Sequence, residues 1–304
     1  MSGRLAGRAA IVTGASRGLG RATALALAAE GAAVAVVART RQQWDERLPG
    51  TIGETVAAIE EAGGRAVAIQ ADLLEREDVP RLVTEARDAL GPITVLVNNA
   101  AFTAPGRPPK PDAAPKTPKP ATAAEAARPA GAPKAANADW PGFLSVPLSA
   151  YRRHFEIGVF ASYELIQLVC PDMFDAGFGS IINVTSVASR VPGDGPYQNF
   201  AGGVLPGYGG SKAALEHLTW CAAYDLQRRN IAVNALAPSR PIATPGLSYY
   251  RTKFDSTSPD DEFARAAVEL ALADANEVTG RTIGHLEVLD GSFSPFANIE
   301  TAIG

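Results

Sequence analysis

The feature that most constrains how this chain folds is a regular alternation between short apolar runs and longer helical patterns. Apolar runs of five or six residues are typical of buried strands. They cover residues 9–13, 34–38, 66–70, 93–97, 180–184 and 231–236, and residues 281–289 are expected to supply a seventh strand. Helices are predicted over 18–30, 52–62, 78–90, 149–176 and 209–229. This alternation predicts an α/β fold, a doubly wound parallel sheet with helices on both faces, in a single domain over residues 1–304.

The composition is that of an ordinary globular protein, and it argues against several classes of function. Apolar residues make up 46% and charged residues 20% of the chain, and the net charge of −4 gives no basic field for nucleic acid or a membrane surface. Cys170 and Cys221 are too few for a disulfide framework, and both are expected in the core. The histidines at 154, 217 and 285 are too scattered for a predicted metal site. The first residues lack an apolar signal core, and we expect a cytoplasmic protein.

A glycine-rich loop, residues 13–20 with the sequence TGASRGLG, joins the first predicted strand to the first helix. Glycines at 14, 18 and 20 permit a tight turn and let the backbone approach a pyrophosphate, which the N–H groups of the helix N-terminus then bind. The loop also contains Ser16, Arg17 and Leu19, which are candidate contacts of the same ligand. The strand–turn–helix context predicts a dinucleotide site, although a glycine turn without a ligand is the alternative.

The end of the second strand indicates which dinucleotide is preferred. NAD sites place a carboxylate there for the ribose hydroxyls, and this carboxylate would repel the additional phosphate of NADP. Here the strand ends Val-Ala-Arg-Thr-Arg at 37–41, without an acid. Arg39 can pair with the 2′-phosphate, and Arg17 is a second candidate. The sequence therefore predicts NADP(H) rather than NAD(H), with two solvated surface arginines as the alternative.

Tyr208 and Lys212 are four residues apart at the start of a predicted helix, so they share one face. A neighbouring ammonium stabilises a phenolate, so we expect Lys212 to lower the pKa of Tyr208. The phenol can then donate a proton to a carbonyl or remove one from an alcohol. Ser186, which follows the fifth strand, can donate a hydrogen bond to the same oxygen. An ordinary surface pair on a helix is the alternative interpretation.

Together these motifs resemble the short-chain dehydrogenase/reductase family over residues 8 to 290, apart from one excursion described below. The resemblance is carried by TGASRGLG, Asp72 after the third strand, Asn98-Asn99-Ala100 after the fourth, Ser186, and Tyr208-x-x-x-Lys212. It implies a Rossmann-like fold and an NADP(H)-dependent oxidoreductase that moves a hydride between the nicotinamide and a small carbonyl or alcohol substrate. It also implies a homodimer or homotetramer built from the long helix and the Tyr/Lys helix.

The resemblance also implies roles for individual positions. Tyr208 would be the general acid/base, Lys212 would hold the nicotinamide ribose, and Ser186 would orient the substrate. The adenine would meet Asp72 and Leu73, the cofactor cleft would be lined by Asn98 and Ala100, and the carboxamide would lie against the segment from Pro238 to Thr244. That segment departs from the family pattern, with Ser239 at a usual glycine position.

A second departure concerns the long helix, where Gly158 stands in the position of the family's usual asparagine. That asparagine supports a water relay to the lysine. A glycine cannot hold this water with a side chain, and it weakens a helix by about 1 kcal/mol. The alternative function is therefore a weakly active or inactive nucleotide-binding or scaffold protein of the same fold.

Two segments are longer than the family pattern requires. Residues 103–139 are rich in Pro, Ala and Lys without an aromatic residue, which predicts a flexible insertion. It is either a tolerated surface loop or an arm for a lid or a partner, and the latter would make this an interaction protein. Residues 193–207 form a second insertion between Ser186 and Tyr208, where Tyr197 and Phe200 are expected to cover an apolar substrate.

Overall fold

The computed structural model describes residues 3–102, 143–191, 193, 206–249 and 257–295. Within these ranges the chain forms a seven-stranded sheet in the order β3-β2-β1-β4-β5-β6-β7, with every neighbouring pair parallel. The strands are β1 (Ala9–Thr13), β2 (Ala33–Ala38), β3 (Arg65–Gln70), β4 (Ile93–Asn98), β5 (Gly179–Val184), β6 (Ile231–Ala237) and β7 (Thr282–Gly284). The predicted doubly wound fold is confirmed.

The helices connect successive strands and cover both faces of the sheet. They are α1 (Gly18–Ala29), α2 (Ile52–Glu61), α3 (Asp78–Leu90), α4 (Leu148–Phe155), α5 (Ala161–Ala176), α6 (Pro206–Leu226), α7 (Pro245–Tyr249), α8 (Asp260–Ala271) and α9 (His285–Leu289). One buried cluster joins α1, α2 and α8 to the sheet, and it includes Leu27, Ile59 and Phe263. The other joins α3, α5 and α6, and it includes Leu82, Leu165 and Ala223.

The central strands are buried along their whole length, which is why they are apolar without alternation. Because all strands run in one direction, their carboxyl ends meet at a single edge of the sheet. This edge brings together the residues that follow β1, β2, β4, β5 and β6. The sequence motifs singled out above therefore converge on one place.

The predicted long helix is present, but it is not a uniform α-helix. Residues Glu156–Phe160 form a π-helical turn between α4 and α5, with Gly158 at its centre. Such turns are often found at functional sites. The stretch Leu148–Ala176 is long and apolar enough to cross a membrane by length and composition, but half of its 18-residue apolar window is buried inside the fold, and core helices meet the same criterion.

Two sequence-based expectations were wrong. The seventh strand has three residues rather than nine, because the chain turns into α9 where the Leu286 N–H donates to Ser239 Oγ (3.1 Å). Cys170 is buried as expected, but Cys221 is exposed because it lies on the outer face of α6. Residues 103–139 and almost all of 193–207 lie outside the described residues, so those two predictions remain predictions.

Candidate active site

The glycine loop has the backbone that a bound pyrophosphate requires. Gly14 and Gly18 have φ values of 67° and 53°, a conformation that favours glycine. Helix α1 then begins at Gly18 without a side-chain cap from Arg17. By contrast, α2 carries a complete capping box of Thr51 and Glu54. The first N–H groups of α1 therefore remain available to an anion, and the loop fits a dinucleotide.

A side chain outside the predicted contact set fastens this loop. Asn99 Nδ2 donates to the carbonyl oxygens of Thr13 (2.9 Å) and Gly14 (3.3 Å). A Cβ on Gly20 would lie 2.4 Å from the same nitrogen, so a larger residue cannot replace this glycine. The threonine hydroxyl in turn accepts from the backbone N–H groups of Asn99 and Ala100, both at 3.1 Å. The Asn98-Asn99 pair at the end of β4 is the sequence feature from which this role could have been predicted.

The predicted residues of this region occupy different depths. Asn98 is buried and donates to Asn183 Oδ1 (2.9 Å), so it ties β4 to β5. Ala100 lies directly against Gly14, because a Cβ on that glycine would come within 2.9 Å of the alanine Cα. Ser16 is buried in the loop, and Leu19 packs partly buried against the adjoining core. Ala100 thus borders the cradle, whereas Asn98 supports it from within the sheet.

Arg17 ties the glycine loop to the segment between β2 and α2. Its Nη2 donates to Thr40 Oγ1 (3.2 Å) and to the Gly50 carbonyl (3.1 Å), and its Nε donates to the Pro49 carbonyl (3.1 Å). Burial and the neighbouring charge of Arg39 lower the pKa of the Arg17 guanidinium. The charges of Arg17 and Arg39 therefore interact near the end of β2, where Arg17 binds Thr40.

Arg39 and Asp72 stand together at the ends of β2 and β3. Arg39 Nη1 lies 3.9 Å from Asp72 Oδ2, and both side chains are largely buried. The Asp72 backbone N–H donates to Asp78 Oδ2 (2.7 Å), which fixes the start of the loop into α3. Leu73 is half-buried against the core on that side. The structure thus brings the predicted adenosine-contacting residues to one end of the cleft.

The segment after β6 approaches the glycine loop. A Cβ on Gly18 would lie 3.5 Å from Thr244 Cβ, so the threonine lies across the start of α1. Pro238 follows β6 directly and is half-buried. Ser239 anchors the segment, since its N–H donates to His285 Nδ1 (2.8 Å) and its hydroxyl donates to Glu287 Oε2 (2.5 Å). The serine at a usual glycine position therefore makes contacts that a glycine cannot.

Ser186 and Tyr208 meet at the carboxyl end of β5. Their hydroxyl groups are joined by a hydrogen bond. Ser186 Oγ also accepts from the Ala188 N–H (3.2 Å). Gly209 permits this approach, because a Cβ there would lie 2.4 Å from the Ala188 carbonyl oxygen. Helix α6 therefore packs close to the turn that presents the serine.

Lys212 is buried beneath this pair. Its Nζ donates to the Val184 carbonyl (2.6 Å) and lies 5.6 Å from the centre of the Tyr208 ring. Glu216, one turn further along α6, is also buried and accepts from Thr185 Oγ1 (2.7 Å). Burial lowers the pKa of Lys212 to about 8, and the charge of Glu216 opposes this shift. Sequence reasoning missed Glu216, although its spacing from the lysine is visible in the chain.

The expectation that Lys212 lowers the pKa of Tyr208 was wrong for the protein chain by itself. Burial raises the pKa of the Tyr208 phenol above its ordinary value, and the hydrogen bond with Ser186 offsets only part of this rise. The ammonium is directed at a backbone carbonyl, and desolvation of the phenolate outweighs its influence. The phenol therefore keeps its proton at neutral pH.

These features define a dinucleotide-dependent oxidoreductase, with a glycine cradle for the cofactor and a Ser–Tyr–Lys group at the same edge of the sheet. The chain belongs to the short chain dehydrogenase family, whose pattern matches residues 8–115 and 134–253. It is accordingly an enzyme of the dehydrogenase/reductase type, and its substrate is a small molecule with a hydroxyl or carbonyl group.

Known relatives agree with this assignment. The chain is 28% identical to the 7alpha-hydroxysteroid dehydrogenase of Escherichia coli over 290 residues, 92% of this chain and 93% of the relative. A solved 7 alpha-hydroxysteroid dehydrogenase with NADH and 7-oxo glycochenodeoxycholic acid matches with a TM-score of 0.67, 28% identity and coverage of 92% and 93%. A Beutenbergia cavernae dehydrogenase with NADP at low occupancy matches with a TM-score of 0.69, 26% identity and coverage of 94% and 98%.

Proposed function

We propose that this chain is an NADP(H)-dependent carbonyl reductase or alcohol dehydrogenase in which Tyr208 is the general acid/base. The observation that carries the proposal is the hydrogen bond between Ser186 and Tyr208, with Lys212 buried one helical turn away. When bound, the cofactor supplies or accepts the hydride. The protein supplies the proton and holds the reacting oxygen.

The ionisation of these residues suits carbonyl reduction. A phenol that retains its proton is a donor, so Tyr208 can protonate the carbonyl oxygen while the adjacent carbon receives the hydride. Ser186 donates a second hydrogen bond to that oxygen and fixes its position. Lys212, with a pKa near 8, can exist in either protonation state near neutral pH and can return a proton to the tyrosine. The reverse sequence oxidises an alcohol.

The test is Tyr208→Phe, which removes only the hydroxyl group. We expect oxidation of NADPH by a panel of ketones and aldehydes to fall by at least about 100-fold, the usual contribution of general acid/base catalysis. Binding of NADPH, followed by its fluorescence, should be retained, which separates lost chemistry from a lost fold. Full turnover by this variant would refute the assignment.

The proposed preference for NADP(H) is supported by the two cations Arg17 and Arg39. No carboxylate ends β2, and a phosphate bound near these guanidinium groups would be stabilised by their charge. Arg39→Gln should reduce the ratio of kcat/KM with NADPH to that with NADH. Arg41→Gln, at an exposed position two residues further on, is the matched control. An equal ratio in both variants would contradict the role of Arg39.

The alternative of an inactive nucleotide-binding protein has less support. It was suggested by Gly158, but Ser186, Tyr208 and Lys212 are brought together around one point of the cleft. Tight NADPH binding by the wild-type chain, with no turnover of any carbonyl compound, would favour this alternative.

We also propose that the protein forms a homodimer or homotetramer through the outer faces of the long helical stretch and α6. Large aromatic side chains are exposed there, with fractions of 49% for Phe160, 51% for Tyr163, 47% for Trp220 and 79% for Tyr224. Such a surface would be costly to leave in water. Sedimentation of the wild type and of Tyr224→Lys is the test, and a wild-type monomer would contradict the proposal.

Two further parts of the proposal concern the loops and the location. Residues 193–207 connect Ser186 to Tyr208 along the chain, which supports a substrate-facing role for them, whereas residues 103–139 are proposed as a tolerated insertion. Deleting 104–138 should leave NADPH binding and turnover unchanged. Both cysteines are free thiols, which supports a reducing compartment such as the cytoplasm.

A further inference from the structure

His154 lies beside the catalytic residues but takes no part in the mechanism above. It lies in the last turn of α4, one residue before the helix ends at Phe155, and only 9% of its surface is exposed. Its ring packs edge-on against Phe102 (5.0 Å between centroids) and against Tyr208 (6.0 Å). Gly207 leaves room for the imidazole, since a Cβ there would lie 2.7 Å from its Cδ2. The imidazole thus forms part of the wall beside the reacting phenol.

The polar atoms of this ring have no partner within the described part of the chain. Among the described residues, its ring neighbours are Phe102 and Tyr208, and neither ring nitrogen is hydrogen-bonded to a described residue. Burial and the charge of Lys212 lower the pKa of His154 to about 4, so the imidazole is neutral at physiological pH. A neutral imidazole has one N–H donor and one acceptor nitrogen. A ring nitrogen of His154 can therefore hydrogen-bond a molecule that is held beside Tyr208.

Resting on the function proposed above, we propose that His154 is a specificity-determining residue that hydrogen-bonds a second oxygen atom of the substrate, carried near the reacting carbonyl. The contact between its ring and that of Tyr208 places the imidazole beside any molecule held by the phenol. A neutral donor beside Lys212 suits an oxygen acceptor and disfavours a cationic group. The aromatic ring of Phe102 supplies an apolar neighbour for the carbon atoms between the two oxygens. The substrate class is therefore a hydroxy- or oxo-substituted ketone or a keto ester.

The test compares two probes of similar length, ethyl acetoacetate and methyl pentyl ketone, in the wild type, His154→Phe and His154→Gln. Each protein is described by the ratio of its kcat/KM for the keto ester to its kcat/KM for the ketone. Comparing this ratio between variants removes the difference in intrinsic reactivity between the two compounds. His154→Phe should lower the ratio about tenfold, mainly through the keto ester, because one neutral hydrogen bond is lost. His154→Gln, which keeps a donor and an acceptor, should recover part of the preference.

Other outcomes separate this proposal from the proposed function. An equal loss with both compounds would show a merely structural role or a bound water, and it would overturn the specificity role of His154. The same holds if the wild type shows no preference for the keto ester beyond that of His154→Phe. If the wild type fails to oxidise NADPH with every carbonyl compound tested, the proposed function itself fails. If it reduces methyl pentyl ketone but not ethyl acetoacetate, the substrate class and the role of His154 are both refuted, whereas the proposed function stands.

Discussion

The buried imidazole of His154 should make the folded protein less stable in mild acid by a calculable amount. The pKa of His154 is about 4 in the folded chain, whereas its ordinary value is 6.5. Between pH 4 and pH 6.5 the imidazole is therefore protonated in the unfolded chain and neutral in the folded chain. Stability contributed by this neutral residue is therefore present above pH 6.5 and is lost as the pH falls towards 4. At pH 5 the loss is about 2 kcal/mol, from 1.36 kcal/mol for each unit of pKa difference.

The perturbation is His154→Gln, which removes the titration but keeps a polar side chain. Urea unfolding at pH 7.5 and at pH 5 gives the free energy of unfolding at each pH. We expect the decrease between the two pH values to be about 2 kcal/mol smaller in the variant than in the wild type. The buried His285 is common to both proteins, so its contribution cancels.

His217→Gln is the matched control, because it removes an exposed histidine from α6. This control should show the same decrease as the wild type. If His154→Gln also loses as much stability as the wild type, the imidazole is not buried and neutral as the structure places it. The same result would remove the basis for a substrate contact at this residue.

Three further predictions follow from packing and charge. Gly158→Ala should raise the free energy of unfolding by up to about 1 kcal/mol, because a Cβ there meets only ordinary contacts. Gly209→Ala should lower the free energy of unfolding by about 1–3 kcal/mol, because its Cβ would clash with a backbone carbonyl. Urea unfolding measures both changes. Glu216→Gln should lower the pKa of Lys212 further and move the alkaline limb of the kcat/KM profile to lower pH, and an unmoved limb would count against the pairing. Ellman's reagent at pH 8 should label Cys221 alone in the folded protein, since the other thiol is buried with a pKa of about 11, and two labelled thiols before unfolding would contradict this arrangement.

Much of the candidate site was predictable because most of its residues lie at the ends of strands or at the start of a helix. Gly14, Ser186 and Tyr208 were identified from their order and from the turns around them, and the structure brings them to one sheet edge. The ionisation of the tyrosine was not predictable. The sequence shows that a lysine is one turn away, but the direction of the pKa shift depends on how much water the fold excludes from the phenol.

Burial in the fold also decides the role of other residues, and the sequence does not predict it. Asn98 and Asn99 are neighbours in the chain, yet one crosses to β5 inside the sheet and the other holds the glycine loop. Cys221 lies in an apolar stretch that resembles core, but the helix turns it outward. Helical spacing predicts which residues share one face of a helix, but it does not predict which face packs against the sheet.

The amino-acid sequence by itself determined the class of fold and the position of the glycine loop, because strand composition, glycine turns and helix starts are local properties that act within a few residues. Only the tertiary structure decided the length of the seventh strand, the π-helical turn around Gly158 and the position of His154 against Tyr208. These features depend on contacts between segments far apart in the chain. The burial of a side chain and its distance from other groups determine its pKa and its hydrogen-bond partners. Both are fixed only when those segments pack together.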